Sequence, residues 1–273
     1  MAHVKSTIAA IAPHDSQERF ETLGCTVIRA PAAFAGPRQV RAGDALINAK
    51  FFVIATGSSP AVPPIEGLRS VPFLTNETIF ENLVPPRHLI VIGGGAIGVE
   101  LGQAYRRLGA EVTIVEAARI LGKEDPQAVE ILRDALSREG VALREGATVA
   151  SVRRDGADTL VDLGGDILRG SHLLGATGRK ANLEGLDLEK AGIGHDRNGV
   201  LVDARLRTAN RRVFAIGDAA GGGFTHLAGD HASTVIRNIC FKMPARRRDA
   251  LAPRVVYTDP EIASIGLNEA AAR

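Results

Sequence analysis

The chain has 273 residues, 45% of them hydrophobic, which is enough for one large core or two moderate ones and excludes a disordered chain. Its 33 basic and 31 acidic residues leave a formal net charge of +2, so no global field argues for nucleic acid or an anionic membrane as partner. The two cysteines, Cys25 and Cys240, lie far apart in apolar settings and form neither a CxxC nor a CxxxxC pair, which predicts buried, inert thiols.

The N-terminal run MAHVKSTIAAIAPHDS holds a lysine and a short apolar stretch, but Pro13 and Asp15 end that stretch too soon for a signal peptide. No segment reaches the apolar length of a bilayer span, so the expectation is a cytoplasmic protein without a membrane partner. From Cys25 to Gly57 the runs CTVIRA, QVRAG, ALINA and FFVIATG alternate with turns and predict strands of a sheet or meander. Pro60, Pro63, Pro64, Pro72, Pro85 and Pro86 then break the chain repeatedly, as a connection between domains would.

Between His88 and Glu116 the sequence reads HLIVIGGGAIGVELGQAYRRLGAEVTIVE: an apolar strand, glycines at GxGxxG spacing, an amphipathic helix, and a second apolar strand ending in an acid. Gly93 permits a tight turn off the strand, Gly95 lets backbone approach a pyrophosphate, and Gly98 lets helix and sheet pack closely. The phosphates of a dinucleotide would then lie over the helix N-terminus, where unpaired N–H groups and the positive end of the helix dipole meet negative charge. Glu116 falls where a ribose-binding carboxylate belongs and would repel a 2′-phosphate, which favours NAD over NADP. In a glycine-rich chain GxGxxG alone is often an ordinary turn. Here the preceding strand, the following helix with apolar Ile97, Leu101, Ala104, Tyr105 and Leu108, and the acid-ended strand supply the context that the motif requires.

Pro126 to Glu139 reads as a helix, started by Asp125–Pro126 and carrying Val129, Leu132 and Leu136 at helical spacing. Strands are expected near Val141 to Arg144, Val149 to Arg153, Thr159 to Leu163 and Leu173 to Ala176. The alternation predicts an α/β fold with a mostly parallel sheet covered by helices and an antiparallel excursion. After Asn182 the chain turns polar until VFAIGDAAGGG repeats the strand-then-glycine pattern, and a helix is expected from about Leu227 to Phe241. Arg246, Arg247 and Arg248 read as a solvated linker, and RVVY as a final strand.

Two ATG triplets, Ala55-Thr56-Gly57 and Ala176-Thr177-Gly178, each end an apolar strand, where small residues let backbone crowd against a cofactor. Flanking the GxGxxG unit and joined by IGDAAGG, they give the chain a resemblance to the pyridine nucleotide-disulfide oxidoreductases, the flavoproteins that include dihydrolipoamide dehydrogenase, glutathione reductase and mercuric reductase. FVIATGSSPAVPPIEGL resembles the end of that family's first FAD segment, VIGGGAIGVELGQAYRRLGAEVTIVEAARIL its NAD domain, LLGATGRKANLEGL and VFAIGDAA its second ATG and FAD-ribityl motifs, and VVYTDPEIASIGL the entry to its dimer-interface domain. The resemblance implies a Rossmann-like NAD domain inserted into an incomplete FAD domain. The expected limits are 1–84 for the first FAD segment, 85–206 for the NAD domain, 207–250 for the second FAD segment and 251–273 for the start of the interface domain.

Carried over, the pattern makes Thr56, Gly57 and Ser58 FAD contacts and Asp218 the carboxylate on the ribityl chain. Phe224, Thr225, His226 and Leu227 would lie beside the flavin ring, with Leu227 leading into a helix whose N-terminal amides face its carbonyl. Gly93, Gly94, Gly95, Ala96, Ile97, Gly98, Val99 and Glu100, with Glu116 and Gly178, would hold NAD, and Val149 its adenine. Asp218 also fits a simple turn cap, and His226 a surface or capping histidine. Lys180 stands where the family often has proline, and FTHLAGDHA departs from the lipoamide dehydrogenase pattern toward the mercuric reductase branch.

In this family NAD(P)H reduces FAD, which passes electrons to a CxxxxC pair, while a His and a Glu of the homodimer partner's interface domain manage protons. An N-terminal GxGxxG, that cysteine pair and the His–Glu pair are not found here, so the chain reads as the central portion of a longer enzyme, without catalytic residues of its own. Three functions stay open: part of an NADH-linked flavoprotein disulfide reductase, an NAD-binding module without turnover, or one half of a split enzyme completed by an upstream polypeptide.

Overall fold

The computed structural model describes residues 2–273. They form two compact units, Pro60–Arg179 with Ala250–Arg273, and Ala2–Ser59 with Lys180–Asp249. These divisions differ from the limits at 84/85 and 206/207 read from the sequence, and the reason lies in what each connecting segment packs against. The proline-rich stretch belongs to the first unit: Leu68 and Val71 are buried in its core, and Leu74 donates to Leu173 O at 2.7 Å and accepts from Gly175 N at 2.8 Å. Leu188, Ala191, Ile193 and Val200 in turn fill the core of the second unit.

In the first unit, His172–Gly175, His88–Ile92, Glu111–Glu116 and Val141–Glu145 form a parallel sheet in that order. Its inner strands are apolar on both faces because both are covered. Leu89 and Val91 pack with Val99, Leu132, Leu136, Val256 and Ile262, while Ile90 and Ile92 pack with Leu68, Val149, Val152 and Val161. The helix Pro126–Arg138 starts at Asp125, whose carboxylate accepts the Gln127 N–H at 2.9 Å, and it buries Val129, Leu132 and Leu136 as their spacing predicts. The excursion is a three-stranded antiparallel sheet, Ser151–Asp155, Asp158–Asp162 and Ile167–Gly170; the last strand has no counterpart in the sequence reading.

The helix Ala96–Arg107 turns a different face to the sheet than its apolar pattern suggests. It buries Gly98, Val99, Gly102, Gln103 and Tyr105, while Leu108 beyond its end is exposed. Close approach explains this. A Cβ on Gly102 would lie 2.9 Å from Ile114 Cδ1, so glycines mark the packed face and an apolar count overlooks them.

The second unit holds an antiparallel sheet of Ala32–Gly36, Gln39–Ala42 and Ala45–Asn48, and a parallel pair of Phe52–Ile54 with Val213–Ala215. Phe34, Ile54, Val213, Ala215 and Ala219 lie in its core. CTVIRA is not a strand: among the described residues it has no neighbouring strand to take its backbone hydrogen bonds. Ala2–Ile11 and Gln17–Thr22 are helices, with no buried side chain on either. Both cysteines are exposed, against the expectation of buried thiols. Each follows a helix end, Cys240 as the C-cap of Thr225–Ile239 and Cys25 after the Gly24 turn that closes Gln17–Thr22. Among the described residues, no helix is long and apolar enough to cross a membrane.

Candidate functional site

The glycine loop of the first unit is built by exclusion. Gly93 has φ +110°, and a Cβ there would lie 2.4 Å from Ala176 O; a Cβ on Gly94 would lie 2.8 Å from Ile120 Cγ2, and one on Gly98 2.0 Å from Gly93 O. These three glycines are demanded by the protein's own packing. Gly95 is different. Its backbone is extended, any residue could adopt it, and a Cβ there would meet nothing within 4 Å. Gly95 is also the N-cap of Ala96–Arg107, and no side chain caps that helix, so its first-turn N–H groups are left for water or a ligand.

Glu116 ends its strand beside this loop. Its Oε2 accepts the Gly94 N–H at 2.7 Å and its Oε1 the Ala118 N–H at 2.9 Å. Each oxygen keeps a further lone pair. The second ATG adjoins the loop: Ala176 donates to Ile92 O at 2.8 Å, and Gly178, at φ +129°, has open space where a Cβ would be. Gly93, Gly94, Gly95, Ala96, Gly98, Glu116 and Ala176 therefore surround one place in the fold. Val99 and Glu100 are turned to other work. Val99 is buried in the core, and Glu100 Oε1 accepts the Tyr257 N–H at 2.9 Å, in a half-buried setting that pushes its carboxyl pKa up. Val149 has its side chain in the apolar cluster under the sheet, which leaves only its backbone for a ligand.

In the second unit, residues far apart in sequence meet. Ser58 Oγ donates to Asp218 Oδ2 at 2.5 Å, and the Gly223 N–H donates to Asp218 Oδ1 at 3.0 Å. The carbonyls of Thr56 and Gly57 accept from the side chain and backbone of Asn182 at 3.1 and 3.0 Å. The helix after this loop begins at Thr225 rather than Leu227, with Phe224 as N-cap and no side-chain cap. The rings of Phe224 and His226 stack, with centroids 5.4 Å apart, and the Leu227 side chain is buried.

Two residues of this site went unnoticed in the sequence, Asn182 and His231. His231 is fully buried: its Nδ1 accepts the Gly217 N–H at 3.1 Å and its Nε2 lies 3.1 Å from Asp249 Oδ1. Since Nδ1 is an acceptor, the proton sits on Nε2 and points at Asp249. The available signal was a histidine on the inward face of a helix beside a GD turn.

Residues 9–235 match the family described as "Pyridine nucleotide-disulphide oxidoreductase". The chain belongs to that family. Its members bind FAD and NAD(P)H. Among curated relatives, it is 36% identical to a mercuric reductase of Streptomyces lividans over 258 residues (90% of this chain, 54% of the relative), and 38% identical to a dihydrolipoyl dehydrogenase of Thermus scotoductus over 259 residues (90% and 55%). The chain thus spans about half the length of the curated relatives it matches. Among solved structures it resembles LpdA of Mycobacterium tuberculosis, with TM-score 0.88 and 30% identity over 98% of this chain and 62% of that one. It also resembles the HOCl-induced flavoprotein disulfide reductase RclA of Escherichia coli, in its Cu(II) complex, with TM-score 0.86 and 30% identity over 91% and 58%. Among the described residues, no group of three or more His, Cys, Asp or Glu side chains is arranged to hold a metal ion.

Proposed function

We propose that this chain carries the NADH-binding module and part of the FAD-binding module of an NADH-dependent flavoprotein oxidoreductase of the disulfide-reductase type. The observation that carries the reading is the open approach over Gly95, at an uncapped helix N-terminus, beside a carboxylate already fixed to the same loop.

The residues fit NAD. The N–H groups of Gly95 to Gly98 would hold the pyrophosphate, Glu116 would accept the ribose hydroxyls, Gly178 would line the site, and the Val149 backbone would meet the adenine. For FAD, Thr56, Gly57, Ser58 and Asp218 would hold the ribityl side, with Phe224 to Leu227 beside the ring and the amides of Thr225–Ile239 toward its carbonyl. When bound, NADH supplies a hydride and FAD accepts it; this chain's own residues bind and orient. Glu116 excludes a second anion at the 2′-position, and Ser58 holds the Asp218 carboxylate in place.

Titration with NADH and NADPH, by fluorescence or calorimetry, tests the reading on wild type and Glu116→Ala. NADH is expected to bind more tightly, and Glu116→Ala to narrow the gap. Equal affinities in the wild type, or a preference for NADPH, would overturn the assignment. A second reading, an NAD-binding module without turnover, is favoured by the cysteines: Cys25 and Cys240 are the only two, both exposed, with no CxxxxC pair.

A further inference from the structure

The loop between Glu116 and Leu121 is held from several sides. Glu116 takes the Ala118 N–H, Leu121 donates to Gly94 O at 2.8 Å, and the Ile120 N–H donates to Glu145 Oε1 at 2.6 Å. Ile120 is almost wholly buried, and its methyl is the group that a Cβ on Gly94 would strike. Leu121 sits at φ +49°, a left-handed conformation that a leucine keeps only where its surroundings enforce it. Glu145 is therefore coupled to the glycine loop through Ile120 and Leu121.

Glu145 ends the neighbouring strand in register with Glu116, which places their Cα atoms about 4.8 Å apart. Two carboxylates so placed would repel each other, and the fold supplies a counter-charge. The Arg133 guanidinium, from the helix Pro126–Arg138, pairs with Glu145 Oε2; both side chains are largely buried, at 18% and 22% exposure. Arg133 also reaches Glu130 at 3.1 Å, and Glu130 holds Arg119 at 3.0 Å. Two carboxylates thus share the work: Glu116 faces the glycine loop, and Glu145, neutralised by Arg133, fixes the loop against which Glu116 and Gly94 are set.

We infer that Glu145 is a positioning residue of the dinucleotide site, which sets the preference for an unphosphorylated ribose by holding Ile120 and through it the arrangement of Glu116 and Gly94. The inference rests on the NADH reading above. Loss of the Glu145 acceptor frees the Ile120 amide and lets the loop relax, and Glu116 then no longer opposes a 2′-phosphate from a fixed position. A purely structural role would lower affinity for both nucleotides alike; a positioning role changes their ratio.

The test is the ratio of NADPH to NADH dissociation constants for wild type, Glu145→Ala and Glu145→Gln, with thermal melts to confirm folding. Glu145→Ala is expected to weaken NADH binding about tenfold, the scale of one lost hydrogen bond to a charged acceptor, and to bring the ratio toward one. Glu145→Gln should keep the ratio near wild type, since its amide carbonyl still accepts the Ile120 N–H. Equal losses for the two nucleotides, or an unchanged ratio in Glu145→Ala, overturn the inference while leaving the NADH reading intact. A wild type that shows no preference for NADH overturns both. Should Glu145→Ala fail to fold, Glu145→Asp decides by the same ratio: a shortened carboxylate that no longer reaches the Ile120 N–H is expected to bring the ratio toward one, and an unchanged ratio sinks the inference.

Discussion

Gly95 and Gly98 share one turn of chain and answer to different constraints. At Gly98 the nearest obstacle to a side chain is the protein's own backbone, the Gly93 carbonyl at 2.0 Å. At Gly95 nothing of the protein stands in the way. Gly98→Val should therefore cost about 3 kcal/mol of stability, because backbone cannot yield as a flexible side chain can. Gly95→Val should cost only about 1 kcal/mol, the scale of a poor N-cap residue, and still abolish NADH binding, by filling the space that a pyrophosphate needs. Denaturant melts and NADH titration on the two variants check this pair. If Gly95→Val binds NADH normally, the loop is a structural turn and no more.

The hairpin of Arg254–Val256 and Ile262–Ser264 shows how one helix serves two neighbours. Ala96–Arg107 offers its N-terminus to the glycine loop and its flank to this hairpin. Gln103, 3% exposed, accepts the Asp259 N–H at 2.9 Å and donates to the Asp259 carbonyl at 2.8 Å, and Arg107 pairs with the Asp259 carboxylate at 2.9 Å. Gln103→Ala leaves the Asp259 N–H and the Asp259 carbonyl without their Gln103 partner, so a loss of about 2 kcal/mol is expected, with faster proteolysis confined to the hairpin. Unchanged stability and cleavage would show that Val256, Ile262, the Arg107–Asp259 pair and the Glu100–Tyr257 hydrogen bond hold it without Gln103. The same helix marks the limit of what the residues disclose before folding. His88–Ile92, Glu111–Glu116 and Pro126–Arg138 are legible because apolar runs and a capping Asp-Pro announce them. The packed face of Ala96–Arg107 is not, since it is marked by Gly98 and Gly102. CTVIRA has strand composition but no partner, and the prolines after Ser59 look like a linker although Leu68, Val71 and Leu74 bind them to the sheet. Around the candidate site, the glycines and Glu116 stand out by spacing. Glu145 in the first unit, and Asn182 and His231 in the second, each hold backbone groups distant in the sequence, and spacing carries no trace of that.

For the whole molecule, exposed cysteines and the lack of a CxxxxC pair lead to one joint expectation. Both Cys25 and Cys240 should react with a thiol reagent in the native state, and neither should matter for electron transfer. The chain alone is expected to show no NADH-dependent reduction of lipoamide, glutathione disulfide or mercuric ion, and at most a slow reaction with artificial acceptors when FAD is added. That residual rate should be the same in Cys25→Ser, Cys240→Ser. Robust turnover lost on the double substitution would mean that these thiols do the redox work after all. The division of the chain into interleaved units also bears on its synthesis. Phe52–Ile54 waits for Val213–Ala215, so the second unit stays open while almost all of the first leaves the ribosome. The parallel sheet of the first unit has all four of its strands once Gly175 has emerged. Vectorial synthesis should therefore let the four-stranded parallel sheet assemble first, with Phe52–Ile54 still dependent on chaperones for cover.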